Sequence, residues 1–301
     1  MQTKFVDIKS ISDLHTLYGC AKPKHPLITY LELKDVSREN FNEEETYYRL
    51  GFYSVYLKQL KGVMKYGKSY YDFEEGTLMF TAPGQAIATT RRIPYNEGWG
   101  LFFHADLLNR SELGRKITDY SFFHYDANEA LHISDEEKSL LGVCLENIKR
   151  EYSQNIDKHT QNLMLSNIEL LLNYCNRFYD RQFLTRVKVS NDIVQRFERI
   201  LKEYFSKETL IDVGLPDVKY FASQLNLSPN YLSDLLNKYT GKTTQEHIHL
   251  QLVDKAKSLL WGSEKSVSEI AYDLGFEHPS HFTKIFKTKT GKAPSEYRHL
   301  N

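Results

Sequence analysis

The sequence has few cysteines, no net charge and no long apolar run. Its 301 residues include three cysteines, Cys20, Cys144 and Cys175, which are far apart and lack the spacing of metal ligands. We therefore expect reduced thiols, as in a cytoplasmic protein, and not a disulfide framework. The 39 basic and 39 acidic residues balance to a net charge of zero, which argues against a protein that coats nucleic acid through basic patches.

Signals for membrane insertion, secretion and catalysis are also missing. No apolar run is long enough to span a bilayer, and the opening MQTKFVDIKSISDL carries charges throughout, so we expect neither an anchor nor a signal peptide. A glycine-rich phosphate loop and a nucleophile elbow are absent. His104 has no partner at metal-ligand spacing, since His124 and His132 lie well beyond it. These absences argue against an enzyme and predict no metal and no cofactor.

Residues 1 to about 132 have the composition of a β domain. Segments rich in aromatic and β-branched residues occur at 27–33, 50–57, 76–81 and 100–104, with turn signals such as Pro83–Gly84 between them. Many short strands at even spacing predict a small barrel or jelly roll.

Two amphipathic helices are predicted to follow this β region. The first begins at a capping box formed by Ser134 and Glu137. The second contains Leu171 and Leu172, which point about 100° apart on a helix, so one of them is expected at a dimer seam and the other in the core. An ordinary core role for both helices stays open. We assign residues 1–180 to this domain, 181–191 to a polar linker and 192–301 to a helical domain.

One pattern occurs twice in the last third of the chain. The copies run from Ala222 to Lys242 and from Ala271 to Lys292. Their offset is 49 residues up to Phe276 and 50 from His278 onward, so the second turn has one extra residue. Each copy predicts a short helix, a tight turn and a second helix. This is a helix-turn-helix, whose second helix enters a DNA major groove.

The two copies share a scaffold of small, apolar and turn-forming residues. Gly275 supplies a positive φ at the second turn, where the first copy has Asn226, the next best residue for that conformation. Ser228 is a predicted N-cap followed by Pro229 at the first helical position. The predicted scaffold residues are Ala222, Leu232, Ala271, Gly275, Phe276, Phe282 and Phe286. A long helix over 244–260 separates the copies, and a capping box at 266–269 starts the second unit.

Residues 192–301 resemble the DNA-binding domain of the AraC/XylS family of bacterial transcription regulators. The resemblance covers both units and is most specific in the runs 271–276, 281–287 and 291–298. The N-terminal region resembles the family's cupin-like effector and dimerisation domain in pattern and position. The resemblance implies a cytoplasmic homodimer that binds double-stranded DNA and RNA polymerase and takes a small-molecule effector. Activation is the expected mode, although no residue separates it from repression.

The resemblance also implies which side chains face DNA. The implied base readers are Asn230, Ser233 and Asp234 in the first unit and Ser280, Thr283 and Lys284 in the second. Lys284 suits guanine and Thr283 a thymine methyl, whereas Asp234 departs from the basic residue common in the family and accepts only from a donor such as cytosine N4. The implied phosphate contacts are Lys238, Lys287, Lys289 and Lys292. Each of these side chains is also explained by an ordinary solvated surface.

Positive charge collects in the second copy. From His281 to the end, the single acidic residue is Glu296, whereas the basic residues are Lys284, Lys287, Lys289, Lys292 and Arg298. Three functions stay open. The first is a regulator that responds to an effector, and the second is a ligand-independent regulator whose N-terminal domain only dimerises. The third is a cupin enzyme fused to a DNA-targeting module. The missing ligand cluster argues against the enzyme.

Overall fold

The chain folds into two compact units, Met1–Leu184 and Thr185–Asn301. The computed structural model describes residues 5–44, 46–59, 63–66, 69–72, 76–89, 97–206, 210 and 214–299. The first unit is mainly β and the second is helical, which confirms the predicted fold class. Closure of the first unit into a cupin-like barrel stays a prediction. Among the described residues, no helix combines the length and the apolar run that crossing a membrane requires.

Ten strands are described in the first unit, and four of them match the apolar segments of the sequence. They are β1 (Phe5–Ile8), β2 (Ile28–Glu32), β3 (Thr46–Leu50), β4 (Phe52–Gln59), β5 (Val63–Tyr66), β6 (Ser69–Asp72), β7 (Thr77–Thr81), β8 (Ala86–Thr89), β9 (Glu97–His104) and β10 (Leu131–His132). Two short helices, α1 (Ile11–Leu17) and α2 (Glu112–Lys116), lie among them. The four segments that predict strands therefore correspond to β2, β4, β7 and β9.

The strands form two main sheets and a separate hairpin of β5 and β6. The larger sheet has the order β10-β7-β4-β9-β2 and its neighbours are antiparallel. The smaller sheet has the order β1-β3-β8, with β1 parallel to β3. At the centre of the larger sheet, Val55 of β4 lies opposite Phe80 of β7 and Leu101 of β9.

Aromatic side chains cover both faces of the larger sheet. On one face, Tyr56 and Phe102 pack in a buried cluster with Leu14 of α1 and Tyr48 of the smaller sheet. On the other face, Phe80 lies 4.4 Å from the ring of Phe122, centroid to centroid. Adjacent strand residues point to opposite faces of a sheet, so a run of consecutive aromatics such as 102–103 supplies both layers.

Two long helices complete the first unit. They are α3 (Asp135–Ser153), which begins at the predicted capping box, and α4 (Thr160–Thr185). The Nδ2 of Asn147 donates to the Oδ1 of Asn167 at 3.0 Å, and Arg181 forms an ion pair with Glu137 at 2.7 Å. Residues 181–183, which the sequence assigns to the linker, therefore pack as part of this helix pair. In the rest of that linker range, Arg186 separates α4 from the next helix.

The structure corrects the prediction for the dimer seam. Leu171 and Leu172 are both fully buried, so neither lies at a surface seam. The buried positions of α4 include Met164, Leu165, Ile168, Leu171, Leu172 and Cys175. They form a broad apolar arc, and such an arc accommodates two adjacent leucines at equal depth. The exposed leucines of α4 are instead Leu163 and Leu170, each 46% exposed, and Leu184 near the end of the helix, which is 56% exposed.

The second unit contains seven described helices. They are α5 (Val187–Ser206), α6 (Val218–Leu225), α7 (Pro229–Thr240), α8 (Thr244–Gly262), α9 (Val267–Asp273), α10 (Pro279–Thr290) and α11 (Pro294–Arg298). Helix α8 contacts α5 and α7 on the side of the first copy and α9, α10 and α11 on the side of the second. Buried residues from both copies, including Phe221, Leu232, Ile270 and Phe282, belong to one apolar cluster. Both helix-turn-helix units thus share a single core around α8.

Candidate nucleic-acid interface

The first helix-turn-helix consists of α6 and α7, joined by a turn at Asn226. Asn226 adopts the left-handed conformation, with φ 56° and ψ 44°. The N–H of Leu227 donates to the carbonyl of Ala222 at 3.0 Å, which closes the end of α6. Ser228 then caps α7 by accepting a hydrogen bond from the N–H of Tyr231, with Pro229 at the first helical position. The left-handed residue, the hydrogen bond that ends α6, the N-cap and the proline together set the angle at which α7 leaves the turn.

The second helix-turn-helix, α9 and α10, has a longer turn that contains Gly275. Its φ is 85°, and the N–H of Phe276 donates to the carbonyl of Ala271 at 3.0 Å. A Cβ at this position would lie 2.9 Å from the carbonyl carbon of Gly214 and 2.9 Å from the carbonyl oxygen of Leu210. Glycine is therefore needed both for the backbone angle and for the close contact with the chain that precedes α6.

The predicted scaffold residues of both helix-turn-helix copies lie in the interior of the C-terminal unit. Ala222, Leu232, Ala271, Phe276, Phe282 and Phe286 are each at most 3% exposed. Gly275 is partly buried at its turn. These residues position α7 and α10 but are not available to DNA.

The predicted base readers differ in exposure between α7 and α10. On α7, Asn230, Ser233 and Asp234 are half-buried, and the Oγ of Ser233 accepts a hydrogen bond from the N–H of Thr244 at 3.4 Å. Ser233 therefore helps to join α7 to α8.

On α10, Ser280 and Lys284 are exposed and Thr283 is half-buried. The hydroxyl of Thr283 donates to the carbonyl of Pro279 at 3.0 Å. This bond leaves its methyl group for an apolar contact.

Parts of this chain are similar to known proteins in sequence and in fold. A family profile described as a helix-turn-helix domain matches residues 221–299. Over 87 residues the chain is 38% identical to the regulatory protein PocR of Salmonella typhimurium, covering 29% of this chain and 28% of PocR. Over 81 residues it is 32% identical to the transcriptional activator RhaR of Escherichia coli, covering 27% of this chain and 29% of RhaR.

The C-terminal unit belongs to the AraC type of helix-turn-helix domains. Helix-turn-helix regions similar to it occur in proteins named as a regulatory protein, PocR, and a transcriptional activator, RhaR. A longer match, 23% identical over 192 residues, is to the uncharacterized regulator YijO of Escherichia coli, and it covers 64% of each chain. The chain thus spans 64% of the length of YijO and less than a third of PocR and RhaR. The C-terminal domain of the response regulator yesN from Fusobacterium nucleatum is 27% identical, with 36% of this chain and 99% of that one covered and a TM-score of 0.32.

The lysines of the AraC-type domain are not equivalent. Lys238, Lys287, Lys289 and Lys292 are all exposed. Lys289 differs from the others because its Nζ lies 3.7 Å from the Oε1 of Glu246, which belongs to the capping box at the start of α8. Hydrogen bonds from Thr243 and then the charge of Lys289 lower the pKa of Glu246, so the carboxylate is ionised and attracts the lysine. A phosphate that binds Lys289 has to compete with Glu246.

Two residues of the AraC-type domain have positions that the sequence pattern did not indicate. Arg298 donates through Nε to the carbonyl of Leu260 and through Nη2 to the carbonyl of Lys265. It therefore closes the end of α8. His281, on the first turn of α10, is exposed and presents the edge of its ring to Phe276 at 5.8 Å. The residue at the equivalent position of α7 is Tyr231, which is buried. The histidine at this position in the second copy was the sequence signal that this side chain differs from its counterpart and is exposed.

Proposed function

We propose that this protein is a sequence-specific, cytoplasmic transcription regulator in which α7 and α10 read two successive major-groove segments. The observation that carries the proposal is the pair of helix-turn-helix units built on one core around α8. A helix with its outer first turn free of core contacts is the part that enters the groove in such domains. The similarity to proteins named as regulators, PocR and RhaR, supports a regulatory and not an enzymatic role.

The second helix-turn-helix, α9 and α10, is proposed to supply more of the affinity for DNA than the first, α6 and α7. Helix α10 carries three lysines at 284, 287 and 289 and no acidic residue, whereas α7 carries Asp234 and Lys238. Phosphate contacts dominate affinity for DNA, and a carboxylate beside the phosphates opposes it. Lys284 and the methyl group of Thr283 are the proposed base readers of α10, and Ser280 is a third. On α7, Asn230 is proposed to read adenine and Asp234 to accept from cytosine.

The experiment that tests this function is selection of binding sites from random duplex DNA by the full-length protein. We expect one enriched sequence, with two conserved segments about one helical turn apart. The variant Lys284→Ala should relax the preference at one position of the segment that α10 reads. Arg150→Gln, which changes an exposed arginine of α3, serves as the control and should select the wild-type sequence. Recovery of no sequence preference at moderate salt would contradict the proposal.

A small-molecule signal is proposed for the N-terminal unit. A cavity of about 40 Å³ lies between α1 and the two main sheets, and none of its lining side chains is charged. The lining residues are Leu14, Leu17, Tyr18, Phe41, Tyr48, Leu50, Tyr56, Met79, Thr81 and Ile87. This volume holds only a few water molecules. An apolar effector with more than a few heavy atoms therefore enters only if α1 moves away from the sheets.

The alternative is a ligand-independent regulator whose N-terminal unit only dimerises. Thermal-shift screening of apolar compounds separates the two, because a ligand that binds only the native state raises the apparent stability. A hit that loses its effect in Ile87→Phe, which narrows the cavity, supports the effector. Stabilisation that persists in this variant places the compound elsewhere.

Dimerisation is proposed through an apolar patch on α3 and α4. The patch consists of Leu140, Val143, Leu163 and Leu170, which are between 38% and 63% exposed. Leu163 and Leu170 are seven residues apart, which is the spacing of one stripe in a two-helix seam. A second copy of this chain is the proposed occupant, since pairing raises the effective concentration of the second DNA-binding unit.

Transcription activation through RNA polymerase is the proposed outcome, supported by the similarity to the activator RhaR. Transcription in a purified system, from a promoter that carries the selected site, tests it. Repression of that promoter would contradict activation without affecting the proposed DNA reading.

A further inference from the structure

A second concave surface of the N-terminal unit lies between the start of β4 and the chain from Ala105 to Ile117. It is an open cleft of about 340 Å³ and shares no lining residue with the cavity between the sheets. Its buried lining residues, Leu108 and Ile117, are apolar, whereas Arg110 and Arg115 are exposed. This combination of an apolar wall and a few cationic or polar groups is typical of small-molecule sites.

The backbone at Arg110 is in a conformation that arginine disfavours. Its φ is 61°, and Asn226 is the one other non-glycine residue with positive φ in the described part of the chain. For a residue with a Cβ, this conformation is strained, because the Cβ comes too close to the following carbonyl oxygen. Asn226 is explained by the helix-turn-helix turn, but asparagine or glycine would meet the backbone requirement at position 110 more cheaply. The arginine side chain is therefore unexplained by the turn itself.

The turn around Arg110 is fixed on both sides. The hydroxyl of Ser111 donates to the carbonyl of Leu108 at 2.7 Å and accepts from the N–H of Gly114 at 3.0 Å. A Cβ at Gly114 would lie 2.3 Å from the carbonyl oxygen of Leu108, so only glycine allows this approach. Arg110 is thus held at the cleft by a rigid backbone, which reduces the entropy lost when a ligand binds.

Two donors in the cleft have no protein acceptor among the described residues. Neither the guanidinium of Arg110 nor the hydroxyl of Tyr53 forms a hydrogen bond or an ion pair there. The ring of Tyr53 is fixed by Phe103 at 5.4 Å and Phe123 at 4.9 Å. Burial raises the pKa of Tyr53, so its hydroxyl stays protonated and can donate. Both groups are therefore free to donate to an anion that enters the cleft.

The charge balance of the cleft favours a monoanion. Arg115 forms an ion pair with Glu112 at 2.6 Å, and this neutralises one of the two guanidinium groups. One uncompensated positive charge, that of Arg110, remains among the residues that line the cleft. An arginine and a planar carboxylate match in geometry and form paired hydrogen bonds.

We propose that this cleft binds a small organic carboxylate with an apolar body. The carboxylate accepts from Arg110 and from the Tyr53 hydroxyl, and the body lies against Leu108 and Ile117. The site belongs to the N-terminal unit, and the proposal does not rest on DNA binding by the other unit.

Titration of the full-length protein with three probes tests the site. Benzoate carries both the charge and the apolar ring, benzamide has the ring without the charge, and inorganic phosphate has charge without a ring. We expect benzoate to bind at least tenfold more tightly than benzamide and more tightly than phosphate, as measured by calorimetry and by the rise in unfolding temperature.

Variants of the two donors separate a built site from a general charge effect. Arg110→Asn keeps a residue that tolerates positive φ and should weaken benzoate at least tenfold, while Arg110→Lys should retain part of the affinity. Tyr53→Phe should weaken benzoate severalfold without a change in fold. The control Arg150→Gln removes an equal charge from α3 and should bind benzoate like the wild type.

Three results would overturn the proposal. They are equal affinity for benzoate and benzamide, tighter binding of phosphate than of benzoate, and unchanged benzoate affinity in folded Arg110→Asn. Circular dichroism of each variant identifies a folding defect, and Arg110→Lys then serves as the second variant at this position.

Discussion

The turn of the second helix-turn-helix provides the sharpest test of how the C-terminal unit is held together. Gly275 combines a φ of 85° with a backbone contact across the core, to the chain at Leu210 and Gly214. Gly291, at the end of α10, has a similar φ of 79° but no atom within 4 Å of the position that a Cβ would take. The two substitutions Gly275→Ala and Gly291→Ala therefore differ in the contact and not in the required backbone angle.

The expected costs follow from these two terms. Each alanine must adopt a left-handed backbone conformation, which destabilises the folded state by about 1–2 kcal/mol. At position 275 the new methyl group also overlaps backbone atoms that cannot rotate away, and such overpacking costs about 1–3 kcal/mol more. We expect Gly275→Ala to lower the free energy of unfolding by about 2–5 kcal/mol and Gly291→Ala by about 1–2 kcal/mol.

Urea denaturation with tryptophan fluorescence measures both values. Trp261 stacks on Tyr297 in the C-terminal unit and Trp99 lies in the N-terminal unit, so a Trp99→Phe background isolates the signal of interest. Loss of DNA binding should follow loss of stability in the same order. Equal destabilisation by the two alanines would show that the contact between the turn and residues 210–214 contributes nothing, and the reasoning would be refuted.

Three further predictions concern the dimer, the reading of DNA and pH. Leu170→Glu should release soluble monomers in sedimentation, whereas Leu171→Glu should unfold the N-terminal unit because its side chain is fully buried. Lys284→Ala should cost about 1–3 kcal/mol at one base position. Lys287→Ala should weaken all sequences alike and reduce the salt slope by about one; identical behaviour of the two lysines would contradict this division. Burial lowers the pKa of His247 below its usual 6.5, so the neutral form is favoured by folding. The stability from His247 is complete above pH 6.5 and is lost as pH falls through the lowered pKa; an unchanged acid limb in His247→Gln unfolding curves would contradict this.

The local features of the fold were readable from the sequence. Capping boxes at Ser134 and Ser266 depend on two side chains three residues apart, and both occur as predicted. The left-handed turn residues Asn226 and Gly275 were equally predictable, because few residue types tolerate that conformation. Four of the five strands of the larger sheet were predicted from composition, whereas β10 and the order of the strands were not.

The features that were missed depend on residues far apart in the chain. The pairing of Lys289 with Glu246 joins positions on two helices, and no spacing rule connects them. The depth of Leu171 and Leu172 depends on how much of α4 is covered, which a helical wheel does not contain. Arg110 gave no signal either, since positive φ is expected at glycine or asparagine and not at arginine.

The shared core around α8 has a consequence for the DNA that one chain accepts. With α7 and α10 packed on the same helix and the turn at Gly275 seated against the chain before α6, the two reading helices move as one body. Inserting one base pair between the two groove segments displaces the second by about 3.4 Å and rotates it by about 34° around the duplex axis. A rigid reader cannot follow that change, so the distance between the segments is as much a part of the recognised sequence as the bases themselves.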